Sequence, residues 1–254
     1  AGLSGSKAEL IKLSFSDGDF SLIFDGKITN SDELREGLKS QGEAFSTNYE
    51  SEILGRLISK GDDVVEGIKI MGEEIQGSCA LVLLTDEKIY AFRSARISPP
   101  FVVGENDEGF ALASESPALT EMGFENFRDV KPGEILEIDE DGIEQVGKIR
   151  SEDHKYCAFE WMYTARPDSI IEGVESEKVR KRAGEKLSEN DDTEADIVAP
   201  VPQSGIGYSI GYHHESGIPY DDVFYLNRYS SRSYIPTDPK IREQIASEKL
   251  SIVH

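Results

Sequence analysis

The sequence predicts a mixed α and β fold in its first half and a strand, helix, strand order in its second half. Helix patterns alternate with strand patterns up to about residue 150. Residues 79–84, CALVLL, form an unbroken apolar run, which indicates a strand in a sheet covered on both faces. After residue 197 a strand pattern leads through a glycine-containing turn into a helix and then another strand. The length of 254 residues fits one large domain or two small ones.

In the first half, residues 20–24 are the first predicted strand, and Asp25-Gly26 closes it with a turn signal. Helices with one apolar face are predicted from Asn30 or Ser31, from Thr47 and after Asp62-Asp63. Beyond residues 79–84, the patterns predict strands at 89–92, 101–103 and 110–113, a short helix from Ser116, and a hairpin of 134–138 and 143–146.

A charged stretch at residues 148–155 is the predicted linker, which gives domains at 1–150 and 151–254. The second domain is predicted to contain a helix at 176–187, a strand at 197–202, a helix opening at Ser204 and a strand at 222–226. A parallel sheet usually needs more strands than these, so we expect this domain to be incomplete.

The composition excludes several classes of protein. With 49 acidic against 27 basic residues, the formal charge of −22 argues against nucleic acid or an anionic membrane as the main partner. No apolar run is long enough to cross a membrane, and the start shows no signal-peptide pattern, so we expect a cytoplasmic location. The two cysteines and four histidines show neither a disulfide framework nor metal-ligand spacing.

Two features of the second half could bind an anion. In PVPQSG, Ser204 and Gly205 lie between a strand and a helix N-terminus, where exposed N–H groups suit a phosphate. Arg228 and Arg232 offer guanidinium groups for pyrophosphate oxygens. The alternatives are an ordinary turn with Ser204 as the helix N-cap, and arginines that are simply solvated.

Several stretches resemble, in the same order, amidophosphoribosyltransferase, the glutamine phosphoribosylpyrophosphate amidotransferase family of purine synthesis. They are IQGSCALVLL, ASESPAL, FRDVKPGE, CAFEWMYTARPDS, PVPQSG, SGIPY and NRYSSRSYI. The resemblance implies a glutaminase-like (class II glutamine amidotransferase) domain with an N-terminal-nucleophile hydrolase-like αββα sandwich, followed by an incomplete α/β type I phosphoribosyltransferase-like domain. It makes CAFEWMYTARPDS a crossing between domains rather than a site. The implied ligands are glutamine and phosphoribosyl diphosphate; no cofactor is evident, and Mg²⁺ would enter only with the diphosphate.

The resemblance also assigns site residues. Phe24-Asp25-Gly26 stands where the family has His-Asn-Gly, whose Asn amide and Gly N–H form the oxyanion hole, so Asp25 and Gly26 are degenerate oxyanion-hole positions. A carboxylate at Asp25 would repel the oxyanion. Glu50 stands where the family has an Asp that holds the amino group of the substrate. Ser204, Gly205, Arg228 and Arg232 are the implied phosphate-binding residues, and no residue is assigned to a metal.

The sequence also departs from the family. The family's mature glutaminase begins with its nucleophilic Cys, whereas this sequence begins with Ala1. Ala1 either replaces that Cys or lies downstream of it, and we prefer the second interpretation because FDGKITN comes sooner than the family's spacing allows. The family segment whose Arg binds the glutamine carboxylate has no match. In the family, an apolar strand ends in two acidic residues and is followed by a loop that wraps the ribose 5-phosphate. The sequence stops before any such motif. We therefore expect a diverged, shortened amidophosphoribosyltransferase-like protein that lacks glutaminase activity. The alternatives are a non-catalytic regulatory or partner-binding subunit, as a homo-oligomer or with a complete partner subunit, and a trimmed piece of an active enzyme.

Overall fold

A computed structural model describes residues 11–15 (backbone only), 18–227, 229–230 and 235–253. The chain divides into two compact units, Ala1–Ala158 and Phe159–His254. This boundary falls within the CAFEWMYTARPDS stretch, and each unit is described by itself below. The exact limits of the two predicted domains, 1–150 and 151–254, stay a prediction.

The first unit contains two sheets and four helices among its described residues. The larger sheet has the strand order β1-β2-β3-β4-β8-β9 and the smaller has the order β6-β5-β7. The elements are β1 Ile11–Phe15, β2 Gly18–Ile28, α1 Ser31–Ser40, α2 Glu50–Ile58, α3 Val64–Glu74, β3 Gly77–Leu84, β4 Ile89–Arg93, β5 Val102–Asn106, β6 Gly109–Ala113, α4 Ser116–Glu121, β7 Asn126–Asp129, β8 Glu134–Asp139 and β9 Gly142–Lys148.

Strand β3 is covered on both faces, which confirms the prediction for residues 79–84. Leu81 and Leu83 lie in an apolar cluster with residues of α1, α2 and α3. Ala80 and Val82, which alternate with them, pack in a second cluster with Val103 and other residues of the smaller sheet. Residues of β2 pair with β3 in the antiparallel sense. The strands at 20–24 and 81–84 therefore lie side by side in one sandwich, as predicted.

Helix α4 covers the other side of the smaller sheet. A Cβ atom added to Gly104 of β5 would lie 3.1 Å from Cδ1 of Leu119, which is fully buried. Glycine at this position therefore lets the short helix approach the sheet. The order of layers is helices, large sheet, small sheet and helix, the αββα arrangement that was predicted.

Helix starts differ from the sequence predictions where side chains compete for backbone groups. Asp63 caps α3 as its position suggested, because its side chain accepts from the amide of Glu66 at 2.8 Å. Asn30 precedes α1 without capping it; its side chain bonds the amide of Gln76 and the carbonyl of Glu74 instead. Helix α2 begins at Glu50 rather than at Thr47, for a reason given below.

The second unit contains β10 Ile170–Ile171, β11 Val174–Glu175, α5 Ser176–Ser188, α6 Ile206–Ser216, β12 Phe224–Leu226, α7 Pro239–Lys249, β13 Leu250–Ile252 and a short π-helix at Glu160–Thr164. The predicted strand at 197–202 was wrong: within it, Val198 forms only an isolated parallel bridge, with Tyr220. Pro200 and Pro202 lack the N–H groups that a longer ladder would need. Strand β12 pairs antiparallel with β13, not parallel with a preceding strand.

Helices α5 and α6 approach each other so closely that glycine is required at their contact. A Cβ atom on Gly211 would lie 1.9 Å from the carbonyl oxygen of Lys181, and one on Gly184 would lie 2.0 Å from that of Tyr208. Beside this contact the buried guanidinium of Arg180 donates to the carbonyls of Trp161, at 3.0 Å, and Ala165, at 2.6 Å. Arg180 thereby ties the π-helix segment to α5.

We predict that Gly211→Ala destabilises the second unit by about 1–3 kcal/mol, because the new methyl group must push the two helix backbones apart. Amide hydrogen exchange in α5 and α6 should accelerate. Gly37→Ala on α1 is the matched control: no atom lies within 4 Å of its added Cβ. The control should leave exchange in α5 and α6 unchanged and strengthen α1 by up to about 1 kcal/mol. Unchanged exchange in Gly211→Ala would contradict the close packing.

Candidate functional site

The structure brings the predicted residues Asp25, Gly26 and Glu50 together through Lys27. Asp25 and Gly26 lie in β2 opposite Ala80 and Cys79 of β3, and Glu50 is the first residue of α2. Nζ of Lys27 lies 2.5 Å from Oε1 of Glu50. The Lys27 side chain is 72% exposed and that of Glu50 is 21% exposed, so this ion pair faces solvent. We call Asp25, Gly26, Lys27 and Glu50 the β2–α2 site.

Gly26 is required by the backbone of this site. Its φ of +142° favours glycine, and an added Cβ atom would lie only 2.1 Å from the carbonyl oxygen of Ser78. The next amide, that of Lys27, donates to Oγ of Ser78 at 3.3 Å. The backbone geometry thus requires glycine here, independently of the oxyanion-hole role that the family resemblance implies for its N–H group.

The buried carboxylate of Glu52 fixes the segment that leads into α2. Its Oε1 accepts from the amide and hydroxyl of Ser46, at 2.8 and 3.1 Å, and its Oε2 from those of Thr47, at 2.7 and 2.6 Å. Burial raises the pKa of Glu52, but hydrogen bonds from Thr47 and Ser46 outweigh it, and the pKa falls below its ordinary value of 4.5. Because these backbone amides bond Glu52, the helix cannot start at Thr47.

Arg35 of α1 holds the same segment from its other side. Its Nη1 and Nη2 each donate at 2.9 Å, to the carbonyl oxygens of Thr47 and Tyr49. Its guanidinium lies 4.4 Å from the centre of the Phe45 ring, a cation–π contact. Residues 45–49 are therefore fixed on both sides, and Glu50 projects from a rigid support.

Cys79, beneath the site in β3, does not provide a nucleophile. The side chain is fully buried, and this burial raises the pKa of its thiol, with the negative charges of Asp25 and Glu50 raising it further. A thiol attacks as the thiolate, which is therefore unavailable here.

In the second unit, the Ser204-Gly205 turn precedes α6, as predicted. Ser204 is exposed, but the amide of Gly205 already donates to the carbonyl of Val201 at 3.1 Å. A Cβ atom on Gly205 would lie 2.7 Å from that same oxygen, which gives the glycine a packing role. Arg228 and Arg232, like Ala1, lie outside the described residues, so the phosphate assignment stays a prediction.

The described residues contain neither a cluster of metal-ligating side chains nor a membrane-spanning helix. No group of three or more His, Cys, Asp and Glu side chains in this part of the chain is placed to hold a metal ion. No helix in the same part is long and apolar enough to cross a membrane.

The sequence alone did not point to Lys27 or Glu52. Glu52 is the third residue of α2, the position from which a Glu side chain reaches back to amides before a helix, and this pattern could have identified it. Lys27 belongs to no motif. Its partner Glu50 is distant in sequence, so only the pairing of β2 with β3 and the position of α2 reveal the contact.

Comparison with known proteins shows which proteins this chain and its fold resemble. A family model described as a glutamine amidotransferase domain matches residues 11–121. The amidophosphoribosyltransferase of Archaeoglobus fulgidus is 35% identical over 93% of this chain, and that of Bacillus subtilis is 31% identical over 96%. The chain is a homologue of the amidophosphoribosyltransferases. This confirms the resemblance drawn from the short motifs.

Solved structures of amidophosphoribosyltransferases show the same fold. The B. subtilis glutamine phosphoribosylpyrophosphate amidotransferase, complexed with ADP and GMP, aligns with 99% of this chain with a TM-score of 0.81 and 31% identity. An allosteric regulatory enzyme of purine biosynthesis aligns with 99% of the chain with a TM-score of 0.84 and 30% identity. The chain has the N-terminal-nucleophile amidotransferase fold and part of a second domain. It spans about half the length of the curated amidophosphoribosyltransferases that it matches.

We predict that Glu52→Gln lowers the free energy of unfolding of the first unit by about 1–3 kcal/mol at neutral pH, because the amide cannot accept all the hydrogen bonds that the carboxylate accepts. Urea unfolding of the variant and of the unmodified chain measures the difference. Glu73→Gln, an exposed residue on α3, makes the same chemical change as a control and should have little effect.

The pH dependence follows from the lowered pKa of Glu52. The stabilisation is fully present above the unfolded-state value of about 4.5 and is lost as the pH falls through the lower folded-state value. The difference in stability between Glu52→Gln and the unmodified chain should therefore shrink as the pH falls below about 4.5. A difference that stays constant on acidification would contradict the proposed role of the ionised carboxylate.

Proposed function

We propose that this chain is part of an amidophosphoribosyltransferase-type protein of purine biosynthesis and that its first unit binds glutamine at the β2–α2 site. The observation that carries the proposal is the partly exposed carboxylate of Glu50, paired with Lys27 on a helix start that Glu52 and Arg35 fix. Such a carboxylate accepts charge-assisted hydrogen bonds from the α-ammonium group of an amino acid. The homology with amidophosphoribosyltransferases supports glutamine as that amino acid.

We further propose that the chain binds glutamine without hydrolysing it. Hydrolysis of the amide passes through an oxyanion, and a carboxylate at Asp25 disfavours negative charge next to it. The thiol of Cys79 is buried and protonated, so this cysteine does not supply a nucleophile.

For the second unit, we propose that phosphoribosyl diphosphate, accompanied by Mg²⁺, binds at the turn formed by Ser204 and Gly205. The exposure of Ser204 before the first turn of α6 supports this proposal, since the N-terminal end of a helix favours an anion. The amide of Gly205 is already bonded to Val201, so Ser204, together with Arg228 and Arg232, would supply the donors.

A second candidate function, a non-catalytic partner-binding subunit, is favoured by the surface of the second unit. Its large exposed apolar side chains include Ile197, Val201, Tyr225, Ile252 and Val253. Exposed apolar groups of this kind favour contact with another protein surface. Light scattering of the purified chain, with mass spectrometry of any chain that co-purifies, tests this candidate. A monodisperse monomer without a second chain would count against it.

We predict that calorimetry detects glutamine binding and that Glu50→Gln weakens it at least about tenfold, because a neutral amide loses the charge-assisted bond to the ammonium group. Glu33→Gln, an exposed change on α1, is the matched control and should bind as the unmodified chain does. The same samples should release no ammonia from glutamine above buffer. Absence of glutamine binding would refute the first proposal, and a turnover near about 1 per second would refute the second.

A further inference from the structure

Lys27 supplies a positive charge next to the carboxylate of Glu50 in the β2–α2 site. It follows Asp25 and Gly26 in β2, and its ammonium group lies 2.5 Å from Oε1 of Glu50. A lysine ammonium group has more than one N–H donor, and Glu50 Oε1 accepts from only one of them. With 72% of the Lys27 side chain exposed, the remaining donors face the solvent from which a ligand would arrive.

The backbone of Lys27 is fixed, although its side chain is free to reorient. The amide of Lys27 donates to Oγ of Ser78, and the residue pairs with Ser78 across the strands. An exposed lysine ion pair contributes little to stability, so its ammonium group can turn toward a ligand at small cost. The base of the side chain therefore stays in place while the charged end adapts.

Arg35, the other cation beside this segment, is not available for the same task. Its Nη1 and Nη2 donate to the carbonyls of Thr47 and Tyr49, and its plane lies against Phe45. Turning it toward a ligand would release residues 45–49. Lys27, by contrast, can meet a ligand bound to Glu50 without disturbing the support of α2.

We propose that Lys27 binds the α-carboxylate of the amino acid whose α-ammonium group binds Glu50. This inference rests on the proposed glutamine binding and assigns its specificity to a residue that no sequence motif indicates. A free amino acid carries its ammonium and carboxylate groups on the same α-carbon. Its dipole can therefore lie antiparallel to that of the Lys27–Glu50 pair. Oε2 of Glu50 accepts from the ammonium group while Lys27 donates to the carboxylate. Ligand and pair are each neutral overall.

The test compares glutamine with 4-aminobutanamide, which is glutamine without its α-carboxylate. Calorimetry near neutral pH measures both ligands against the unmodified chain, Lys27→Gln and Lys27→Arg. The matched control is Lys39→Gln, which removes the same charge from an exposed ion pair with Glu36, at 2.8 Å, on α1. Thermal unfolding of each sample shows that the variants are folded, as the exposure of Lys27 leads us to expect.

We expect the unmodified chain to prefer glutamine over 4-aminobutanamide by at least about tenfold, since a charge-assisted bond is lost with the carboxylate. Lys27→Gln should remove this preference by lowering the affinity for glutamine and not that for 4-aminobutanamide. Lys27→Arg and Lys39→Gln should retain the preference. If Lys27→Gln keeps the preference, or binds glutamine more tightly because Lys27 merely blocks Glu50, the inference is wrong but glutamine binding stands. If the unmodified chain binds neither ligand, both the inference and the proposed function are wrong.

Discussion

The pairing of β2 with β3 is the constraint on which the rest of the first unit depends. Gly26 lies opposite Cys79, and the carbonyl of Ser78 occupies the space in which any other residue would place its Cβ atom. The pairing also sets which residues of β3 face the helices and which face the smaller sheet, because side chains alternate along a strand. A slip of β3 by one residue would turn Leu81 toward the smaller sheet and Ala80 toward the helices. Both apolar clusters would then be disrupted.

The β2–α2 site is built from two supports that do not rely on each other. The sheet places Asp25, Gly26 and Lys27, whereas Glu52 and Arg35 place Glu50 through the segment before α2. Burying a carboxylate such as Glu52 is unfavourable unless donors compensate for lost water, and the donors of Ser46 and Thr47 do so. The exposed pair between Lys27 and Glu50 adds little stability, so the supports, and not the pair, determine the geometry.

Sequence patterns predicted those parts of the fold that local chemistry decides. The apolar run at 79–84 and the cap at Asp63 depend on neighbours in sequence, and both were found as predicted. The start of α2 depends on the reach of Glu52 back to Ser46 and Thr47, which a helical pattern of apolar residues does not reveal. The prediction of a strand at 197–202 was wrong. It relied on the apolar character of these residues and gave too little weight to the two prolines, which have no N–H group to donate.

The contact of α5 with α6 and the site itself needed more than local patterns. The need for glycine at position 211 becomes clear only from the structure, because an added Cβ atom would lie 1.9 Å from the carbonyl oxygen of Lys181. The two residues belong to different helices, so no local pattern links them. Asp25, Gly26 and Glu50 were assigned by resemblance to a family, since nothing in their own spacing distinguishes them from an ordinary turn and an ordinary helix start. Lys27 was missed because its role depends on a residue brought near by the fold.

The charge of the chain bears differently on its two proposed ligands. A formal charge of −22 creates a field that opposes polyphosphates but acts weakly on glutamine, whose charges cancel. Exposed charges are screened beyond roughly 8–10 Å in physiological salt, so groups in contact with the ligand decide its affinity. At the β2–α2 site, Lys27 and Glu50 form a neutral pair, which we propose binds a zwitterion. At the Ser204 turn, by contrast, the amide of Gly205 is already occupied, so a diphosphate there must draw on the donors of Ser204 and of arginine side chains against the field of the whole chain.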